Sequence, residues 1–180
     1  MWNLRNFFRP IQLLGLALYG MFGLTGCAST PRPLDTPFTL HQGTEIAEFE
    51  VHIPERYTYV FGFSFFYKDP KQYPADSWRI LKLVGTGTQD KDNKYVNLGE
   101  PLKVRLQIYS VGKKTPPFAF DEIKTEIVNY AVGSGYFSKR IANVLLEPGV
   151  YKVRLENLLT APAMEGTPIH FHIGKAYFGK

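Results

Sequence analysis

Residues 57–68 read YTYVFGFSFFYK, and this stretch sets the architecture of the chain. Every second residue from Tyr57 to Tyr67 is aromatic, so six aromatic side chains would share one face of a β-strand, in which side chains alternate between faces. We predict a strand whose aromatic face forms one wall of a β-sandwich core. Gly62 lies on the opposite face and predicts either a bend or the close approach of another backbone.

The aromatic row also has an alternative interpretation. Six aromatic side chains on an exposed strand would form a ladder on which sugar rings or nucleic-acid bases can stack. The core wall is favoured, because large aromatic side chains bring large buried areas to protein interiors.

Other stretches alternate with the same period of two. In TEIAEFEVHI (44–53) and LKVRLQIYSV (102–111) apolar residues alternate with polar ones, and strand-like runs separated by turn residues continue to the end of the chain. The segment LLEPGVYKVRLENL, in which Tyr151 follows a Pro-Gly turn, resembles the tyrosine corner of immunoglobulin-like sandwiches. We predict an all-β protein: an antiparallel, immunoglobulin-like β-sandwich of 7 to 9 strands.

One segment departs from this period. PADSWRILKLVG (74–85) has apolar residues at helical spacing and predicts a short helix near residues 75–84. Asp76 or Ser77 is the predicted N-terminal cap, and Gly85 is the predicted stop. The polar stretch 86–95 that follows predicts a solvated turn, because its acidic residues lack the glycine and glutamate of a calcium loop.

The N-terminal 26 residues have the order of an export signal. Arg5 and Arg9 precede an uncharged, largely apolar run, Ile11 to Gly26, which ends in small residues. A helix needs roughly 20 apolar residues to cross a bilayer, and this run is shorter. A cleaved signal peptide is therefore favoured over a transmembrane helix.

The sequence Leu24-Thr25-Gly26-Cys27 resembles the lipobox of bacterial lipoproteins. The resemblance implies that signal peptidase recognises Leu24, Thr25 and Gly26 and cuts before Cys27, whose thiol carries a diacylglyceryl group and whose new amine is acylated, for example by palmitate. The alternative is an ordinary signal peptide with an unrelated cysteine. The chain as a whole also resembles uncharacterised bacterial lipoprotein families that are known only as domains of unknown function.

These features predict three regions: a lipoprotein signal peptide (1–26), a lipidated N-terminus with a proline-containing tether (27–37), and the sandwich (38–180). In polyproline geometry the tether would reach on the order of 30 Å. Ala28 follows the cysteine, and by resemblance to enterobacterial sorting the absence of Asp there favours the outer membrane, facing the periplasm. The first predicted partner is thus a lipid bilayer, held through acylated Cys27.

Composition limits the remaining possibilities. The chain has 21 basic and 16 acidic residues, and removal of Arg5 and Arg9 leaves 19 against 16, or +3, which is too mild to predict nucleic-acid binding. Cys27 is the only cysteine, so a disulfide within the fold is excluded. Stability must come from apolar burial.

The histidines raise the question of a metal site. His170 and His172 would share one face of a strand, and such a pair binds zinc or copper when a third ligand arrives, for example His52 with Glu48 or Glu50. A solvated strand face is the favoured interpretation. We therefore predict no metal and no cofactor.

Short catalytic motifs are absent from the sequence: it contains no GxSxG, HExxH or CxxC. We accordingly predict a non-catalytic domain that binds a protein partner, and within that class an immunity protein that neutralises a delivered toxin. The alternatives are a periplasmic lipoprotein that binds a small ligand, a glycan or a metal, or an envelope assembly accessory. An enzyme is the third possibility.

Overall fold

The computed structural model describes residues 34–43, 45–68, 74–112, 118–133 and 135–176. Arg32–Lys180 form one compact unit. The predicted signal peptide and Cys27 lie outside the described residues, so the lipid anchor stays a prediction.

The described residues form eleven strands, one α-helix and a short 3-10 helix, Pro162–Met164. The helix is α1 (Ala75–Val84). The strands are β1 (Leu34–Pro37), β2 (Ile46–Ile53), β3 (Tyr57–Phe66), β4 (Thr88–Gln89), β5 (Tyr95–Val96), β6 (Val104–Ser110), β7 (Phe118–Lys124), β8 (Val128–Gly133), β9 (Tyr136–Leu146), β10 (Gly149–Asn157) and β11 (Ile169–Lys175).

Two antiparallel sheets make up the sandwich. One has five strands in the order β1-β11-β3-β9-β8, and the other has four in the order β2-β10-β6-β7. The prediction of an all-β antiparallel sandwich is confirmed. The two extra strands, β4 and β5, pair with each other in the stretch predicted as a solvated turn. At the tip of this hairpin the Asp90 carboxylate accepts the backbone N–H groups of Asp92 and Lys94, as in an Asx turn.

The aromatic row of β3 forms the core wall. Tyr59, Phe61, Phe63 and Phe65 are fully buried, and the opposite sheet contributes Phe49, whose ring stacks on Phe171 at 5.7 Å. The stacking ladder is therefore excluded for these four residues. At the ends of the row the wall is less complete, because Tyr57 is 37% exposed and Tyr67 is half-buried.

Gly62 allows β3 and β9 to pair closely. The register between the two strands shifts at Phe61/Gly62, as in a β-bulge. A Cβ atom at position 62 would lie 2.5 Å from the Lys139 carbonyl oxygen and 3.2 Å from the ring of His172. The prediction of a close backbone approach at this glycine is confirmed.

The helix is also confirmed, but its predicted cap is wrong. Pro74 occupies the N-cap position without a side-chain hydrogen bond. The Asp76 carboxylate instead accepts the Lys68 N–H at 2.5 Å and the Arg79 Nε–H at 2.6 Å, so it ties the helix to the end of β3. Gly85 ends the helix with a φ of 73°, as predicted.

The tyrosine corner is present. The Tyr151 hydroxyl donates to the Glu147 carbonyl at 2.9 Å, across the turn between β9 and β10. A second tyrosine makes the same bond: the Tyr59 hydroxyl donates to the Glu55 carbonyl, also four residues earlier, at 3.3 Å. Both bonds fix the strand entries at the same end of the sandwich.

The first strand begins before the predicted start of the domain at residue 38. Residues 34–37, which the sequence analysis placed in the tether, pair with β11 at the edge of the five-stranded sheet, where Leu34 lies opposite Ile173. Only residues 28–33 thus separate Cys27 from the sheet. Within the described residues, none of the helices has the length and apolarity that a membrane span requires.

Candidate functional site

The outer face of the five-stranded sheet carries the polar groups that the sequence singled out. Ile169, Phe171 and Ile173 point into the core, so His170 and His172 share the outer face, as predicted. The prediction of a solvated face is wrong for His172, which is only 2% exposed.

Each histidine has its own partners. The Asp35 carboxylate lies 2.8 Å from His170 Nδ1, and the Phe66 ring packs edge-on against the imidazole at 4.8 Å. Asp35 belongs to β1, so this contact joins the first strand of the domain to the last. The pair is about one-third exposed and contributes little to stability.

His172 is the centre of a buried hydrogen-bond relay. Its Nδ1 atom lies 3.1 Å from the Ser64 hydroxyl, which lies 3.1 Å from the Ser138 hydroxyl. Its Nε2 atom lies 2.6 Å from the Tyr130 hydroxyl. The relay thus crosses four strands, from β9 through β3 and β11 to β8.

The relay is satisfied in either neutral tautomer of His172. When the Tyr130 hydroxyl donates to Nε2, Nδ1 carries a proton and donates to Ser64; in the other tautomer both directions reverse. A serine beside a histidine also suggests a nucleophile and its base. Ser64 is fully buried, however, so its hydroxyl is closed to a substrate in this conformation. The geometry therefore supports a structural relay whose outer end, Tyr130, is 38% exposed.

Replacement of Ser64 by alanine tests the relay. The hydroxyl serves both His172 and Ser138, and its loss leaves buried polar groups short of a partner. We expect the free energy of unfolding to fall by about 1–3 kcal/mol in urea denaturation. The control is Ser77→Ala, which alters a half-buried residue of α1. It should change the free energy of unfolding by less than about 0.5 kcal/mol. Equal effects of the two variants would contradict the relay.

The third metal ligand that the sequence analysis considered lies elsewhere. His52, Glu48 and Glu50 are on the exposed face of β2, which belongs to the other sheet. Among the described residues no group of three or more His, Cys, Asp or Glu side chains could hold a metal ion.

Lys139 is a buried cation that the sequence analysis missed. It lies opposite Phe63 on the core face of β9 and is 1% exposed. Its ammonium group donates to the Val84 carbonyl at 2.8 Å and to the Leu98 carbonyl at 2.6 Å. Because Val84 is the last residue of α1, this lysine also caps the C-terminal end of the helix. It borders a cavity of about 240 Å³ beside residues 98–102.

Burial lowers the pKa of Lys139 from 10.5 to about 8, because the interior disfavours the charged form. A neutral amine keeps two N–H groups, which is the number that the two carbonyls accept. The side chain can therefore lose its proton without losing either hydrogen bond.

This shift predicts how stability depends on pH. Below pH 8 the lysine is charged in both states, and its burial penalty is fully present. Between about pH 8 and 10.5 the unfolded chain binds more protons than the folded one, so stability rises with pH, by at most about 3 kcal/mol. We expect urea denaturation to show this rise relative to Lys139→Met. Parallel pH profiles for the two proteins would contradict it.

Ser64 and Lys139 were missed for different reasons. Ser64 occupies the second face of the aromatic strand, which the sequence pattern described only as the side away from the core. Lys139 lies on the core face because β9 contains a bulge, in which Ile141 is the extra residue. The local sequence pattern does not predict such a bulge.

Comparisons with known proteins address the fold and the family. No curated protein matches the chain. A crystal structure of a protein from Sulfurospirillum deleyianum matches with a TM-score of 0.66 and 23% sequence identity, over 82% of this chain and 99% of that one. At this identity the likeness establishes the fold alone. The family model described as a domain of unknown function, DUF5625, matches residues 35–175, which include every strand except the first residue of β1. The chain therefore belongs to the DUF5625 family.

Proposed function

We propose that this protein is a lipoprotein of the bacterial cell envelope, anchored in the outer membrane through acylated Cys27 and facing the periplasm. The observation that carries the proposal is the sequence Leu24-Thr25-Gly26-Cys27 directly after an apolar run. The start of β1 at Leu34 is consistent with it, because the folded body begins a few residues after the acceptor cysteine.

We further propose that the sandwich is a non-catalytic domain that binds a protein partner. Trp78 on α1 supports this proposal, because it is 62% exposed and tryptophan is prominent among the residues that dominate binding energy at interfaces. The edge strands also present apolar side chains to solvent: Ile123 on β7 is 53% exposed and Val132 on β8 is 70% exposed.

Within this class we favour an immunity protein that neutralises a toxin delivered by neighbouring cells. A short lipid tether would hold such a protein where a delivered toxin enters the periplasm. The test is a mixed culture in which a strain deleted for this gene competes with a kin strain that delivers toxins into the periplasm of its neighbours. Wild-type protein should restore survival of the deleted strain, and Trp78→Ala should restore it less well.

The matched control is Asn143→Ala, which alters an exposed residue on the outer face of β9. Survival of the deleted strain without any complementation would contradict the immunity role. A photo-crosslinking residue at position 78, compared with one at position 143, would then show whether a different protein occupies this surface. An absence of crosslinks at position 78 would contradict protein binding through α1.

A further inference from the structure

The strand pairings show which end of the sandwich lies toward the first residue of β1. Leu34, the first residue of β1, lies opposite Ile173 of β11, which lies opposite Phe61 of β3. Four residues before Phe61, β3 begins at Tyr57, opposite Leu146 at the end of β9. The turn at 147–148 then leads into β10, where Tyr151 lies opposite Ser110 at the end of β6.

This end carries exposed apolar side chains from both sheets. They lie at the ends of β3, β7 and β9 and directly after β6, and we call them the apolar tip: Tyr57 (37% exposed), Val111 (47%), Phe118 (37%) and Leu145 (55%). Phe118 is held by the ring of Tyr109 at 4.6 Å, and Tyr57 lies under the ammonium of Lys175 at 5.4 Å. The aromatic members are thus ordered at the surface.

Among the described residues, two ion pairs lie beside the tip. Arg56 donates to Glu147 at 2.8 Å, and Lys175 pairs with Glu55. Pairing Glu55 and Glu147 with cations reduces the repulsion that unpaired carboxylates would feel near anionic headgroups. The described part of the tip therefore combines apolar side chains with paired charges, which suits the membrane interface.

The tether leaves little distance between this end and a lipid-bearing Cys27. Leu34 is seven positions after Cys27 in the chain, so a fully extended backbone between their Cα atoms spans about 25 Å. About 13 Å of that length is needed to pass from the level of Leu34 to that of Tyr57, four residues along the sheet. On the order of 12 Å then remains between the tip and the lipid.

From this geometry we infer that the apolar tip docks on the lipid bilayer itself, with Val111, Phe118, Leu145 and Tyr57 in the headgroup region and α1 facing away. The inference rests on the proposed lipid anchor. The orientation of α1 follows from the chain, because the helix comes after the opposite end of β3 and its Asp76 contacts Lys68 there.

Tryptophan fluorescence tests this orientation. Trp2 leaves with the predicted signal peptide, so Trp78 is the only tryptophan of the mature chain. The lipidated protein is reconstituted into vesicles of phosphatidylethanolamine and phosphatidylglycerol, with or without brominated acyl chains. Three proteins are compared: the wild type, Trp78→Phe with Val111→Trp, and Trp78→Phe with Phe118→Trp. Bromine should quench both tip probes at least about twofold more strongly than Trp78, because aromatic side chains at the interface lie near the acyl chains.

Two failures are distinguishable. A mature protein whose mass shows no lipid on Cys27 would contradict the proposed anchor and, with it, the docking of the tip. A lipidated protein whose tip probes are quenched no more than Trp78 would overturn the docking alone. Leu145→Glu in the Phe118→Trp background should weaken the quenching, because a charge is added to the tip.

Discussion

Replacing Phe63 by alanine is expected to lower the free energy of unfolding by about 3–5 kcal/mol, a large part of the 5–15 kcal/mol that holds a typical domain together. Phe63 is fully buried at the middle of β3. Its ring packs against Phe38 at 5.6 Å, Phe65 at 6.2 Å and Phe171 at 6.2 Å, so truncation removes contacts from three directions and leaves a cavity.

The measurement is urea denaturation of the domain that starts at Ser29, followed by circular dichroism. Leu145→Ala is the control, because that side chain is 55% exposed and its loss should cost less than about 1 kcal/mol. If Phe63→Ala is no more destabilising than Leu145→Ala, the aromatic row does not form the core wall. A variant too unstable to purify can be replaced by Phe63→Leu, for which a smaller loss is expected because more of the apolar volume is kept.

Replacing Cys27 by alanine is expected to abolish membrane anchoring. Each buried methylene contributes about 0.8 kcal/mol, and two or more acyl chains hold a protein stably on a bilayer. Alanine has no thiol to accept the diacylglyceryl group. The variant should therefore lack the mass of the lipid, and its mature form should no longer be found in the membrane fraction. Globomycin, which blocks cleavage of lipoprotein signals, should make the wild type retain residues 1–26.

Mass spectrometry and fractionation of cell envelopes measure this result. Ser29→Ala lies two residues from the cysteine and should behave as the wild type does. A Cys27→Ala protein with unchanged mass and unchanged fractionation would overturn the lipid anchor, and an ordinary signal peptide would then be the better interpretation.

The local patterns of the sequence predicted the sandwich, the helix and the strands other than β1, β4 and β5, because burial on one face of a strand produces a period of two in the sequence. They also predicted that Gly62 lies close to another backbone. They did not predict the buried hydrogen-bond relay. Ser64 and His172 are 108 residues apart in the chain, and only the pairing of β3 with β11 brings their side chains together. Register of this kind is a property of the assembled sheet.

The cap of α1 shows the same limit. Asp76 has a side chain of the type that caps helices, but the helix begins one residue before it, and its carboxylate binds the Arg79 guanidinium and the backbone N–H of Lys68. A charge-assisted hydrogen bond to a guanidinium outweighs a single bond to a backbone N–H. The tertiary contact therefore decides the role of this carboxylate, and a sequence window around the helix does not contain it.

The pairing of β1 with β11 has a consequence for the timing of folding. Asp35 and His170 are 135 residues apart, so one edge of the five-stranded sheet closes only after nearly the whole chain is available. Long-range contacts of this kind make folding slow. Under the proposed export, in which the N-terminus crosses the membrane first, slow folding would be an advantage, because the first strand would emerge before its partner and the sheet would be completed only after the last strand had crossed.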